Sequence, residues 1–239
     1  MVVLKLIVRS SYENEKNSVV CCTVGDGKDT QLYESLAVPQ LKDDVSLVMI
    51  ANNKTGLSEV YNRYLTPENL IKHDIVLYVH DDVYIDDLKL KGKLYTAILA
   101  LEYDIIGLAG AKELTIKEPC LWHLMSKKQH WSGAVSHPIS NGNKSMVTSF
   151  GPWPARCLMI DGLFMAVNLQ RALEVNWKFN TNYTFHHYDI SSCIDANNKK
   201  MKIGTYPIYV SHSSPGLSDL NDPVFTTSQQ KFLEQYGPR

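Results

Sequence analysis

Three side chains able to bind metal, His80, Asp81 and Asp82, follow directly on the apolar run Ile75-Val76-Leu77-Tyr78-Val79. Five consecutive apolar or aromatic residues read as a strand buried on both faces, so the chain leaves its core through this polar cluster. Carboxylates at the carboxyl end of a central strand lie where open α/β sheets bind ligands. With His80 they are placed to hold a hard divalent cation and the phosphate it carries. The competing reading is a polar strand-to-loop turn in which Asp and His cap the next segment. Asp161-Gly162 interrupts a second apolar stretch, Arg156 to Val167. A carboxylate buried without partners is costly, so Asp161 needs a hydrogen-bonded role, either at a site or against loop amides.

These groups need a frame. Ser18 to Val24 is strand-like and runs into the turn-rich Gly25-Asp26-Gly27-Lys28-Asp29; a helix is expected from Thr30 to about Leu41, ended near Pro39. Val45 to Ala51 is the next strand and ends in Asn52-Asn53-Lys54. Leu57, Val60, Tyr61, Tyr64 and Leu65 fall at helical spacing, and Pro67 opens a further turn before the central run. A helix from about Leu88 to Glu102 then feeds a short strand, Ile105 to Ala109. Three crossover units in succession predict an α/β fold: a doubly wound, mostly parallel sheet with helices on both faces. Val2 to Val8 is expected to be an edge strand or hairpin partner. Lys112 to Pro154 holds three tryptophans and no sustained period, which predicts an irregular aromatic-rich insertion or lid. Helices over Leu169 to Asn176, Asp189 to Lys200 and Asp222 to Tyr236, and a strand from Lys202 to Val210, complete the chain.

A chain of 239 residues holds one large domain or two small ones. Its 24 Lys and Arg against 25 Asp and Glu leave no basic footprint for nucleic acid and no polybasic membrane patch. Cys21, Cys22, Cys120, Cys157 and Cys193 lack C-x-x-C spacing and read as buried thiols of a reducing compartment. No run reaches transmembrane length, and the apolar start is too short for a signal peptide, so a cytoplasmic location is expected. Glycosylation acceptor patterns at Asn143-Lys144-Ser145 and Asn182-Tyr183-Thr184 then carry little weight.

The order of these pieces resembles nucleotide-sugar glycosyltransferases of the GT-A fold, close to glycosyltransferase family 2. The resemblance runs from about Val19 to His212 and rests on a G-x-S-x-x-x-N helix (Gly56, Ser58, Asn62), the acidic strand end His80-Asp81-Asp82, Asp161-Gly162, the helix start at Asp189 and the late His212. It implies one domain over 1–239, with a nucleotide-binding half, 1–110, and an acceptor-binding half, 111–239. The family's D-x-D motif maps onto His80-Asp81-Asp82. Asp82 is then the metal ligand, His212 completes the shell, and His80 stands where the family has an acid. Mixed imidazole and carboxylate suit Mn²⁺ somewhat better than Mg²⁺.

By the same resemblance Asp189 is the general base of an inverting transfer, although Tyr188 replaces the acid that usually precedes it. Asp161 and Gly162 would meet the transferred sugar or the acceptor. Thr23, Asn52, Asn53, Asn62 and Asp81 would bind a donor, most simply a UDP-sugar, whose hexosyl or deoxyhexosyl group passes to a hydroxyl of a glycan or other acceptor. Trp153 and His187 are candidate acceptor contacts, with Trp122, Trp131 and His186 as further possible walls. The residues alone leave other assignments open. His212 also reads as a loop histidine, Asp189 as a helix cap, and the whole as a non-catalytic sugar or nucleotide-binding module or a metal-dependent phosphohydrolase.

Overall fold

The computed structural model describes residues 17–139, 145–214, 216 and 219–238. The expected strand Val2 to Val8, the Asn143-Lys144 acceptor pattern and Pro215 lie outside them. Strands and helices are numbered along the chain. Every residue of the central run, β3 (Ile75–Val79), is buried. It pairs on one side with β1 (Asn17–Cys22), parallel, and β1 pairs in turn with β2 (Val45–Ile50), also parallel, as crossover units require.

On its other side β3 meets β11 (Phe164–Asn168), which runs antiparallel both to β3 and to β5 (Ile105–Gly107). The sheet continues through β12 (Ile203–Thr205) to β9 (Ala155–Cys157), giving the order β2-β1-β3-β11-β5-β12-β9. The α/β class stands, but its main sheet is mixed, because a late strand is wedged between two early ones. A strand buried on both faces shows the same apolar run whichever way it points, so the sequence carries no mark of this reversal.

Several chain segments are shared with a second sheet. At Leu108 the chain steps from β5 into β6 (Ala109–Ala111), whose sheet has the order β10 (Met159–Ile160), β6, β7 (Trp131–Pro138), β13 (Val210–His212), β4 (Val83–Ile85). Strand β8 (Ser145–Gly151) pairs with β7 and is largely exposed. The span Lys112 to Pro154 is therefore more regular than its weak periodicity implies, since short or half-exposed strands leave little apolar alternation to read. The expected late strand Lys202 to Val210 divides into β12 and β13, one in each sheet.

Short helices fill the crossovers, and their ends follow from local chemistry. Thr30 caps α1 (Gln31–Leu36) by accepting from the Tyr33 N–H, and Pro39 opens α2 (Pro39–Lys42), so the single expected helix is two. After α3 (Leu57–Asn62), Thr66 caps α4 (Pro67–Leu70). Then α5 (Leu90–Tyr95) widens into a π-turn over Thr96–Ala100, followed by α6 (Trp122–Met125). Asn168 caps α7 (Leu169–Glu174), which precedes α8 (Tyr188–Asn198), and Asp222 caps α9 (Pro223–Tyr236). Among the described residues no helix is long and apolar enough to cross a membrane.

Two packing features set the site. The rings of Tyr61 on α3, Tyr78 on β3 and Phe179 cluster with centroids 4.6 to 5.3 Å apart and fully buried, which ties α3 and the segment before α8 to the central strand. Beyond β4, the buried Asp87 carboxylate accepts from the Lys93 ammonium and the N–H groups of Lys89 and Tyr209. Lys93 also donates to the Pro207 carbonyl (2.6 Å) and lies over the Tyr209 ring. This knot fixes the entry to β13 beside β4.

Candidate functional site

The carboxyl end of β3 delivers His80, Asp81 and Asp82, and β4 begins at once with Val83, which pairs with His212 at the end of β13. Strand pairing thus carries a residue 130 positions downstream to the side of Asp82. The coordinating atoms of His80, Asp82 and His212 all lie within 4.8 Å of one another. Asp82 Oδ1 and His212 Nε2 approach to 3.2 Å without hydrogen-bond geometry, and both atoms are buried with no hydrogen-bond partner. Orphaned buried polar atoms are costly. Donors about 2.1 Å from one ion stand about 3.0 Å apart when they meet it at a right angle, so the pair fits a shared cation. The His137 Nδ1–H donates to the His212 carbonyl (3.1 Å) and steadies the end of β13.

Burial holds the His80 imidazole below its ordinary pKa, with Asp82 and Asp161 pulling the other way. Burial pushes Asp82 up, but the His212 and His80 imidazoles outweigh it and leave the carboxyl below the usual range. Both groups are therefore in the metal-ready form, neutral imidazole and ionised carboxylate, at neutral pH.

One cleft, of about 630 Å³, is lined by this cluster and by Asp189 from α8. The helix starts from His187, whose backbone is left-handed (φ 65°), so Asp189 lies inside the first turn and is not the cap. Its carboxylate accepts from the N–H of Gly162 (3.1 Å) and of Ile190 (2.8 Å). Burial and the Asp161 carboxylate together push Asp189 up to about 7, against the pull of those two N–H groups. A carboxyl group poised near neutrality is suited to take a proton from a hydroxyl.

Gly162 is the hinge of this wall. A Cβ there would lie 2.4 Å from the Tyr188 hydroxyl oxygen and 3.0 Å from Asp189 Cβ, so no other residue fits without displacement. Asp161 lies in the turn between β10 and β11 and not on a strand. It accepts from the Trp122 indole N–H (3.0 Å) and the Leu163 N–H (3.1 Å), which is the compensation its burial demands.

The remaining expected residues divide. Thr23 and Asp81 line a shallow recess of about 380 Å³ next to Asp82, with Gly25, Asp26 and Gly27, and Asp81 borders both recess and cleft. Asn52 and Asn53 are turn formers. Asn52 holds a left-handed backbone (φ 51°), and both ends of the Asn53 amide are engaged with Thr55. Asn62 lines neither the cleft nor the recess: its amide accepts from the Phe179 N–H (2.8 Å) and donates to the Phe179 carbonyl (2.9 Å). Ser58 donates to the Tyr183 carbonyl, and the Leu57 N–H to the Thr184 carbonyl. At Gly56 a Cβ would come within 2.9 Å of the Thr184 backbone. The G-x-S-x-x-x-N motif is thus a dock for the main chain that leads into α8.

Trp153 does not line the cleft. It stands against Tyr209, away from the cleft, and Trp131 packs between Trp122 and Phe150 with its N–H on Ser126. His187 does border the cleft. It is buried, with Nδ1 on the Ser228 hydroxyl and Nε2 without a hydrogen-bond partner, and burial beside His186 pushes its pKa down to about 4. Sequence reasoning missed three contributors: Tyr188, which bonds His80; Trp122 as partner of Asp161; and Phe185, stacked on the His80 ring at 6.5 Å. Trp122 was singled out by type and Tyr188 only as the residue standing where the family has an acid, while Phe185 is an ordinary aromatic until the fold brings it to the cleft.

A model of a glycosyltransferase-like family matches residues 21–236. No curated protein matches the chain. Among solved structures it is similar to A197 from STIV, at 12% identity and TM-score 0.48, over 83% of this chain and 82% of that one. It is also similar to S. aureus TarS 1-349, at 14% identity and TM-score 0.46, over 84% of this chain. The same TarS fragment in complex with UDP matches at 14% identity and TM-score 0.46, over 82% of this chain. This chain spans only 61% and 60% of those two TarS chains.

Proposed function

The chain belongs to that glycosyltransferase-like family, and from this premise we propose that it moves a sugar from a nucleoside-diphosphate sugar to a hydroxyl acceptor, with inversion and with a divalent cation. The observation that carries the reading is one cleft lined by two unlike groups: the His80, Asp82 and His212 cluster and the carboxyl of Asp189. The recess beside Asp81 and Asp82, with Thr23 in its wall, is where the nucleotide would lie. On this reading residues 1–110 serve the donor and 111–239 the acceptor within one domain.

A cation held by Asp82, His212 and His80 would neutralise charge building on the departing diphosphate. The protein's own groups do the rest. Asp189, held by the Gly162 and Ile190 N–H groups, takes the acceptor hydroxyl proton on its carboxylate. The nucleophilic oxygen then forms the new glycosidic bond from the face opposite the leaving diphosphate. Asp161, braced by Trp122, is placed to orient a sugar hydroxyl. Trp122, Phe185 and Phe225 supply ring faces and His187 an imidazole at the acceptor end.

The test is a thermal-shift screen of UDP-, GDP- and dTDP-sugars with Mn²⁺ or Mg²⁺, followed by NMR of the anomeric product. A ligand at 100 times its Kd stabilises the native state by about 2.7 kcal/mol. A sugar nucleotide that stabilises only with the cation, and a product of opposite anomeric configuration, is the expected result. Stabilisation that is indifferent to Asp82→Ala, or a retained configuration, would dismiss the proposal.

A further inference from the structure

The two positions at which this chain departs from the acidic motifs it resembles, His80 and Tyr188, are in contact although 108 residues apart: His80 Nε2 lies 2.9 Å from the Tyr188 hydroxyl oxygen. A third group fixes the direction of that bond. A phenol has one proton, and the Tyr188 hydroxyl donates it to the Gly162 carbonyl at 2.8 Å, an oxygen that can only accept. Toward His80 the phenol oxygen is therefore the acceptor, and Nε2 carries the hydrogen. A neutral imidazole protonated on Nε2 keeps its lone pair on Nδ1.

The phenol has little freedom to do otherwise. Tyr188 is 3% exposed and its ring is wedged against Tyr61 and Phe179 at 6.0 and 6.1 Å. Gly162, whose missing side chain makes room for the hydroxyl, accepts from it through its carbonyl and holds Asp189 through its N–H. One phenol thus braces His80 on the cation side and the Gly162 turn on the Asp189 side.

We propose that Tyr188 is a positioning residue for the cation: it locks His80 as the Nε2–H tautomer, makes Nδ1 the third protein ligand beside Asp82 and His212, and so biases the centre toward Mn²⁺, Co²⁺ or Zn²⁺ over Mg²⁺ and Ca²⁺. Two imidazoles and one carboxylate suit first-row transition ions, whereas Mg²⁺ and Ca²⁺ prefer all-oxygen shells. A hydrogen bond to the far nitrogen of a ligating histidine fixes its orientation and raises its basicity, and loss of such a partner costs 10- to 100-fold in metal affinity. The inference rests on the cation site of the preceding section, and its test separates the two.

Mn²⁺ binding to the full metal-free chain is read by EPR of the free ion, with Mg²⁺ as competitor, for the unaltered protein, Asp82→Ala, Tyr188→Phe, His80→Ala and the double variant His80→Ala with Tyr188→Phe. The expected result is loss of binding in Asp82→Ala and a 10- to 100-fold weaker Mn²⁺ Kd in Tyr188→Phe, with a narrowed Mn²⁺ to Mg²⁺ ratio. In the His80→Ala background the Tyr188 substitution should have no further effect, because the two act as a unit. Imidazole ¹⁵N shifts of the unaltered metal-free protein give an independent reading that needs no folded variant: a protonated Nε2 and a bare Nδ1 at His80. An unchanged Kd and ion preference in Tyr188→Phe, additive effects in the double variant, or the opposite tautomer overturns the role of Tyr188 and leaves the cation site standing. Absence of Mn²⁺ binding in the unaltered protein, or binding that survives Asp82→Ala, overturns both.

Discussion

Asp189→Asn offers the sharpest check, because one substitution should lower activity and raise stability at the same pH. In the folded protein the carboxyl titrates at about 7, against 3.8 for the free group. Between those values the native state holds a proton that the unfolded chain has released. Stability therefore falls by about 1.4 kcal/mol per pH unit across the window from about 4 to about 7. Above it the full cost of the buried charge is present, at most about 4 kcal/mol, and part of that is shared with Asp161, whose carboxylate contributes to the shift. Asparagine is a permanent mimic of the neutral acid, with one good acceptor for the two N–H groups that Asp189 holds. The variant should match the parent near pH 4 and exceed it by about 2 kcal/mol at pH 8. Urea unfolding of both proteins at a series of pH values, with chelator present, reads this directly. Transfer at pH 8 should fall by about 10²- to 10⁴-fold while donor Kd is kept. A stability difference that does not change between pH 4 and pH 8 would refute the burial argument, and robust turnover would remove Asp189 from the base role.

Other substitutions address the supports of the site. Asn62→Ala removes both bonds to the Phe179 backbone and should cost about 1–3 kcal/mol in urea unfolding, with donor affinity in calorimetry unchanged in the folded protein. Gly162→Ala drives a methyl against the Tyr188 hydroxyl; a loss of about 1–3 kcal/mol is expected, together with weaker Mn²⁺ binding because His80 loses its brace. Lys93→Ala leaves the 5%-exposed Asp87 carboxylate without its cation. A loss of about 2–4 kcal/mol by thermal or urea unfolding is expected, since two backbone N–H groups remain on that carboxylate.

How much of this was legible depended on whether the information was local. The buried run of β3 and the polar groups that leave it lie within a few residues of what they determine and were readable; the caps at Thr30, Thr66 and Asn168 are as local, but sequence reasoning placed the helices without naming them. Strand direction was not readable. Phe164 to Asn168 is apolar on both faces, as any central strand is, and its antiparallel insertion between β3 and β5 follows from the turn at Asp161–Leu163 that carries it over from the other sheet. The three-residue strands of the second sheet are too short for a period to show. For the site, residue types pointed to the His80-Asp81-Asp82 cluster and to Asp161, and the family pattern supplied His212, Asp189 and the grouping. Asn62 and Trp153 were ambiguous by type, because an amide and an indole serve packing and main-chain bonding as readily as ligands. The His80 to Tyr188 bond spans half the chain and leaves no trace in local pattern.

The dock formed by Gly56, Leu57, Ser58 and Asn62 grips only peptide groups and backbone atoms of Phe179, Tyr183 and Thr184 at its hydrogen bonds. A grip of that kind is blind to what the neighbouring side chains are. Phe185 and His186, which face the cleft from the same stretch, are thus free to be exchanged while the path of the chain, and with it Asp189, keeps its place. On the proposed reading, acceptor preference and proton abstraction are then mechanically separable, and a randomised library at those two positions tests whether the acceptor changes while Asp189 keeps its role.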